Sequence, residues 1–105
     1  MERATLFYRD TIGLRPDEHS KTEFWAGDTC FTLWKPEWVG REWAPTATGM
    51  IALHVDDVAD AREELETKGV EFEGEIFDTG VCHFAFFFDP DGNSLALHHR
   101  YAPYE

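Results

Sequence analysis

Apolar residues recur at helical spacing where the chain begins. Ala4, Phe7, Tyr8 and Ile12 make one stripe within residues 2–12, and Gly13 stands where a helix stop belongs. The period then shortens. A short irregular strand is read around Arg15 to His19. Thr22–Ala26 and Thr29–Lys35 alternate as half-buried strands do, and Gly27-Asp28 supplies the turn between them. Residues 36–48 hold Pro36, Gly40 and Pro45 with two tryptophans, Trp38 and Trp43, and read as a connecting loop.

The second half repeats this order. Gly49–Val55 reads as a strand. Asp56 or Asp57 caps a helix running to about Lys68, with Val58, Ala61 and Leu65 turned inward and Gly69 ending it. Val70–Phe77, Val81–Phe88 and Asn93–Arg100 read as strands. The last two are joined by Asp89-Pro90-Asp91-Gly92-Asn93, a strong turn signal. Each half is thus a helix followed by three strands, and Asp10-Thr11-Ile12-Gly13-Leu14 parallels Glu66-Thr67-Lys68-Gly69-Val70. The repeat is uneven, because a strand precedes the second helix and none precedes the first. Three explanations stand: a first strand is missing, Met1 lies inside the true gene, or another chain fills the place. An edge left open in this way recruits a strand, so a homodimer, strand-exchanged in its simplest form, is expected.

Composition narrows the partners. A chain of 105 residues is one domain, 1–105, here divided into modules 1–48 and 49–105. Its formal charge of −12 repels phosphate backbones and anionic lipid, so neither nucleic acid nor a membrane is expected as a partner. No apolar run has the length of a bilayer span, and no basic start leads into an apolar stretch. Cys30 and Cys82 are the only cysteines. Reduced thiols and a cytoplasmic location are the default reading of so small a number. Aromatic residues make up 15% of the chain, enough to line a pocket for a flat ligand as well as to fill a core.

Three segments together carry a family resemblance: Phe7-Tyr-Arg-Asp-Thr-Ile-Gly-Leu14, Ile51-Ala-Leu-His-Val-Asp-Asp-Val58 and Asp89-Pro-Asp-Gly-Asn-Ser-Leu-Ala-Leu97. The chain resembles, over nearly its whole length, the vicinal oxygen chelate superfamily of glyoxalases, bleomycin resistance proteins and extradiol dioxygenases. The resemblance implies an α+β fold of two βαβββ modules whose mixed sheet curls into a cup, usually within a homodimer. It implies either a divalent ion held by His and Glu, on which lyase, isomerase or ring-cleaving chemistry runs, or a metal-free cavity that holds a small organic molecule such as a drug. Fold alone does not choose between them.

Strand alternation sorts the residues without the family. Ile51, Leu53 and Val55 form a face expected under the helix, leaving Met50, Ala52 and His54 toward the cavity. Leu95 and Leu97 are core, leaving Ser94, Ala96 and His98 toward the cavity. Phe31 and Leu33 are core, leaving Cys30, Thr32 and Trp34. Val81–Phe88 is apolar on both faces and stays ambiguous. By the resemblance, the His that often opens the second module matches Met50, the Glu after the turn matches Ala96, and the first module's carboxylate matches Thr32. Met, Ala and Thr do not make the nitrogen and oxygen shell of a catalytic divalent ion. No cofactor is therefore expected, and Trp34, Thr32, Met50, Ala52, Ser94 and Ala96 are read as lining for a small-molecule ligand.

His54 and His98, with His83 if its strand turns that way, are the alternative. They are read as catalytic acid–base groups, as ligands of a displaced divalent metal, as hydrogen-bond donors to a polar ligand, or as plain strand-end residues. His99 falls on the Leu95–Leu97 face, and His19 lies in a polar stretch. Cys82 and His83 are neighbours on one strand, point to opposite faces, and do not form a thiolate–imidazole pair.

Overall fold

The computed structural model describes residues 2–33, 35–45 and 50–103. Met1–Pro45 and Thr46–Glu105 cluster as two units. The chain is a mixed α+β protein with a three-stranded and a four-stranded sheet.

In the first unit, α1 (Glu2–Leu6) runs on into a π-helical turn, Phe7–Thr11, in which the Ile12 amide donates to the Phe7 carbonyl at 2.9 Å. The sequence predicts one helix over 2–12, and the structure divides that helix into two geometries. The stripe survives the change, because Ala4 and Tyr8 are both buried and Tyr8 packs on Phe31 with ring centroids 4.9 Å apart. Gly13, at φ 84°, ends the helix in a backbone conformation that a side chain disfavours. Strands β1 (Arg15–Pro16), β2 (Glu23–Ala26) and β3 (Thr29–Thr32) follow in the antiparallel order β1-β2-β3, with Phe24 buried at the centre. The strand expected to reach His19 stops at Pro16. Asp17 accepts the His19 amide at 2.8 Å and turns the chain. The expected connecting loop contains a short 3-10 helix, Pro36–Val39.

In the second unit, β4 (Ile51–His54), α2 (Val58–Thr67), β5 (Phe72–Asp78), β6 (Cys82–Phe88) and β7 (Ser94–Arg100) build one sheet in the order β4-β7-β6-β5. β4 lies parallel to β7 and the other pairs are antiparallel. Asp57 is the helix cap, accepting the Asp60 amide at 2.9 Å. Gly69, at φ 92°, ends α2, and the Val70 amide returns to the Leu65 carbonyl. α2 packs over β5, β6 and β7. Val58 and Leu65 from the helix, and Ala85, Phe87, Leu95 and Leu97 from the sheet, are buried. The Arg62 guanidinium lies 5.0 Å from the Phe72 ring centre. Ile51 departs from expectation. Expected beneath the helix, it is 48% exposed, because α2 covers the other three strands. The β6–β7 turn is held by Asp89. Its buried carboxylate accepts the amides of Asp91 and Asn93 and the Asn93 side-chain amide, each at 2.9 Å.

Candidate functional site

The cross-strand register of the second sheet decides which side chains share a face. Phe87 stands opposite Leu95 and Phe72, and Ala85 opposite Leu97. These residues form the face beneath α2. Their neighbours along each strand form the other face in ordered rows. One row runs Glu73, Phe86, Ala96, Ala52 across β5, β6, β7 and β4. The next runs Phe77, Phe84, His98, His54. Phe88 stands opposite Ser94 on the same side. The ambiguity of Val81–Phe88 is thereby resolved: Phe84, Phe86 and Phe88 face away from the helix, and Ala85 and Phe87 face it.

This second face is apolar and in part open. Phe77 is 53% exposed and Phe88 43%, and Phe84 and Phe86 are half-buried. The Phe84 and Phe86 rings are parallel within 2° with centroids 5.8 Å apart. Ala96 is fully buried beside Phe86, while Ala52 is exposed at the β4 edge. Met50, just before β4, is 48% exposed. Ser94 is half-buried.

The histidines separate. His54 and His98 are register partners on β4 and β7, and so stand side by side on the face opposite α2. Their rings go different ways. His98 packs against Phe84, centroids 4.7 Å apart. His54 lies 5.9 Å from the ring of His99, and its Nε2 is 3.7 Å from Asp56 Oδ1. His99 Nδ1 is 3.1 Å from the Val55 carbonyl oxygen, which makes Nδ1 the protonated nitrogen. His83 does not join this group. It stands opposite His99, on the helix side of the sheet, so one residue of alternation separates it from the row that holds His98. Its Nε2 lies 3.4 Å from Asp78 Oδ2 and its ring 4.7 Å from that of Tyr101. Cys82 is buried and, by alternation, points away from the side His83 takes.

The residues expected from the first unit give less. Thr32 ends β3, is exposed, and stands opposite Glu23, with its hydroxyl 3.7 Å from Cys30 Sγ. Trp34 lies outside the described residues. The unit does carry an open groove of about 490 Å³ lined by Arg15, Asp17, His19, Trp25 and Asp28. Some of its polar groups engage one another. Asp17 accepts the Trp25 Nε1–H at 3.1 Å as well as the His19 amide, and the Arg15 guanidinium covers the Trp25 ring at 5.8 Å. The His19 amide bond first, and the Trp25 bond second, hold the Asp17 carboxyl below its ordinary pKa.

Methionine, alanine and threonine stand at positions 50, 96 and 32, and Ala96 has neither a donor atom nor exposed surface. Among the described residues no group of three or more His, Cys, Asp or Glu side chains is placed to hold an ion. These residues do not fit the usual ion of such a site.

Glu73 and Phe77 were missed in the sequence. Alternation puts both on one side of β5, and the β5–β6 register shift between them, with Gly74 at φ 69°, is two residues and keeps that side; which side it is follows only from the pairing with Phe84 and Phe86. No helix among the described residues is long and apolar enough to cross a membrane.

The family model described as "Glyoxalase/Bleomycin resistance protein/Dioxygenase superfamily" matches residues 1–97. Among curated proteins no relative matches. Solved structures are similar over most of their length. A member of the same superfamily from Sphaerobacter thermophilus DSM 20745 is 25% identical, with a TM-score of 0.75 over 92% of this chain and 86% of that one. TnmS3, an antibiotic binding protein from Streptomyces sp. CB03234, is 28% identical, with a TM-score of 0.69 over 94% and 85%. Lactoylglutathione lyase from Agrobacterium tumefaciens is 21% identical, with a TM-score of 0.75 over 92% and 83%, and shows likeness of fold.

Proposed function

The chain belongs to the glyoxalase, bleomycin resistance protein and dioxygenase superfamily, and on that premise we propose that it binds a small organic molecule on the sheet face opposite α2, without the superfamily's usual metal ion. The observation that carries this reading is the pair of rows Glu73–Phe86–Ala96–Ala52 and Phe77–Phe84–His98–His54. Where an ion-binding site needs several converging hard donors, the centre of these rows offers two parallel rings, the buried Ala96 and a single imidazole, His98, packed on Phe84. A flat, mostly apolar ligand gains by covering such a surface, at roughly 25 cal/mol per Å² of apolar area removed from water. Antibiotic binding by TnmS3, a protein similar in fold and 28% identical, is consistent with it.

Native mass spectrometry of untagged protein, with elemental analysis of the same sample, tests the proposal. The expected result is protein free of stoichiometric metal that takes up aromatic ligands one per chain. A tightly held divalent ion at one per chain contradicts it.

A second reading rests on His54 and His98 being register partners on that same face. Two imidazoles one strand apart at the rim of a binding face suit acid–base chemistry near neutral pH on a bound substrate. Under this reading His54→Ala and His98→Ala each abolish turnover of a substrate found by screening. Under the binding reading they change affinity only modestly.

A further inference from the structure

We propose that this face selects a flat aromatic body carrying a positive charge, and that Glu73 is the residue that selects the charge. The inference rests on the binding reading above and adds the ligand's class. Its first support is the distribution of charge. Residues 46–105 carry 13 acidic and 3 basic side chains, a net of −10, whereas residues 1–45 carry 8 and 6, a net of −2. Two of the three basic groups of the second half are placed elsewhere, and the third, Arg100, follows His98 on the same face of β7 with its guanidinium turned to the chain beyond the strand. Arg62 lies over Phe72 on the helix side, Lys68 stands at the end of α2, and Arg100 donates to the carbonyls of Ala102 and Pro103. The potential over this half concentrates cations and repels anions.

The second support is position. Glu73 is the cross-strand partner of Phe86, so its exposed side chain rises on the aromatic face beside that ring. It opens the row whose next members are Phe86, Ala96 and Ala52. Adjacent strands lie about 4.8 Å apart, so Glu73 and Ala96 are roughly 10 Å apart across the sheet. That span suits a tricyclic ring system laid on the face along Phe86, whose half-buried ring stands beside the buried Ala96. An amine or ring nitrogen cation at its β5 end reaches the Glu73 carboxylate for a charge-assisted hydrogen bond. The negative faces of the Phe84 and Phe86 rings attract the same charge.

Three tricyclic probes of similar outline test this with the full chain: proflavine as cation, acridone as neutral body and anthracene-2-carboxylate as anion, titrated by calorimetry at low salt. Proflavine is expected to bind about tenfold or more tighter than acridone, and the anion weakest. That ratio corresponds to about 1.4 kcal/mol. Glu73→Gln is expected to lower proflavine affinity about tenfold and leave acridone unchanged, and the exposed α2 variant Glu64→Gln to change neither. Phe86→Leu, which keeps apolar volume, is expected to weaken both ligands. Raising the salt to about 1 M, where the screening length falls to about 3 Å, should shrink the cation's advantage.

Equal binding of the three probes, sensitive to Phe86→Leu but not to Glu73→Gln, overturns the charge inference and leaves the binding face standing. Proflavine binding that Glu64→Gln weakens as much as Glu73→Gln does marks general attraction to an acidic surface and also overturns it. Failure of all three probes to bind removes the face as a ligand site, and this proposal with it.

Discussion

Phe86 and Phe87 are adjacent in sequence, identical in chemistry, and assigned to opposite faces of one strand. That makes them a sharp probe of the register. Phe87 is 1% exposed, packs on Phe72 with centroids 5.0 Å apart, and stands opposite Leu95, itself 1% exposed. Phe87→Ala removes a fully buried ring from beneath α2, where little can collapse to fill the space. A loss of about 3–5 kcal/mol is expected. For a chain of 105 residues the whole folding stability is on the order of 5–15 kcal/mol, so this variant should be marginal at 37 °C. Phe86 is half-buried on the open face. Burying a whole phenylalanine contributes about 1.5–3 kcal/mol, so Phe86→Ala should cost roughly 1 kcal/mol. Urea denaturation followed by far-UV circular dichroism gives both values. With a slope near 1–2 kcal/mol per M, the two midpoints should differ by about 1–4 M, Phe87→Ala being the lower. Equal losses, or the reverse order, would falsify the face assignment, because a one-residue slip exchanges the two rings.

Three further outcomes follow from contacts in the same unit. Asp89→Ala removes a buried acceptor and leaves the Asp91 and Asn93 amides without that partner, so a loss of about 2–3 kcal/mol is expected in chemical denaturation, with Asp89→Asn intermediate; a loss under 0.5 kcal/mol contradicts that role. Asp57→Ala should cost about 1 kcal/mol as loss of the α2 cap, while Asp57→Ser restores most of it; equal costs for the two variants would show that the side-chain oxygen does not act as the cap. Asp78 lies below its ordinary pKa, chiefly through the Gly80 amide and next through the Tyr101 hydroxyl, and Tyr101 lies above its own because it donates to Asp78 at 2.8 Å. The carboxylate's contribution is complete above its unfolded pKa and lost as pH falls through the folded one. The phenol's contribution is complete below its unfolded pKa and lost as pH rises through the raised one. The Tm gap between the wild type and Tyr101→Phe should therefore be widest near neutral pH and close at both extremes; a gap independent of pH argues against the bond.

Much of the second unit was legible in the chain. Gly69, the Asp57 cap and the Asp89–Asn93 turn act through local chemistry that a single sequence displays. Period alone puts Val58, Leu65, Leu95 and Leu97 in the core, and they are buried. What escaped depended on partners distant in sequence. β6 is apolar on both faces, so Phe84 and Phe86 could be assigned only once their partners on β7 were known. Glu73 and Phe77 likewise took their side only from their partners on β6, Phe86 and Phe84. The histidines show the limit of alternation. His54 and His98 do share a face, yet His54's ring lies nearest that of His99, from the other face, where β4 ends. Period assigns a side of the sheet. It does not assign a rotamer at a strand's end.

The central claim is that a ligand sits on the sheet face opposite α2. Chemical-shift mapping of 13C-labelled aromatic and methyl groups during a proflavine titration tests it directly. The account predicts saturable shifts at Phe84, Phe86, Phe77, Ala52, Ala96 and the His98 ring, with Phe87, Ala85, Leu97 and Val58 unmoved. Shifts concentrated in that second, helix-covered set, with the aromatic rows unmoved, contradict it.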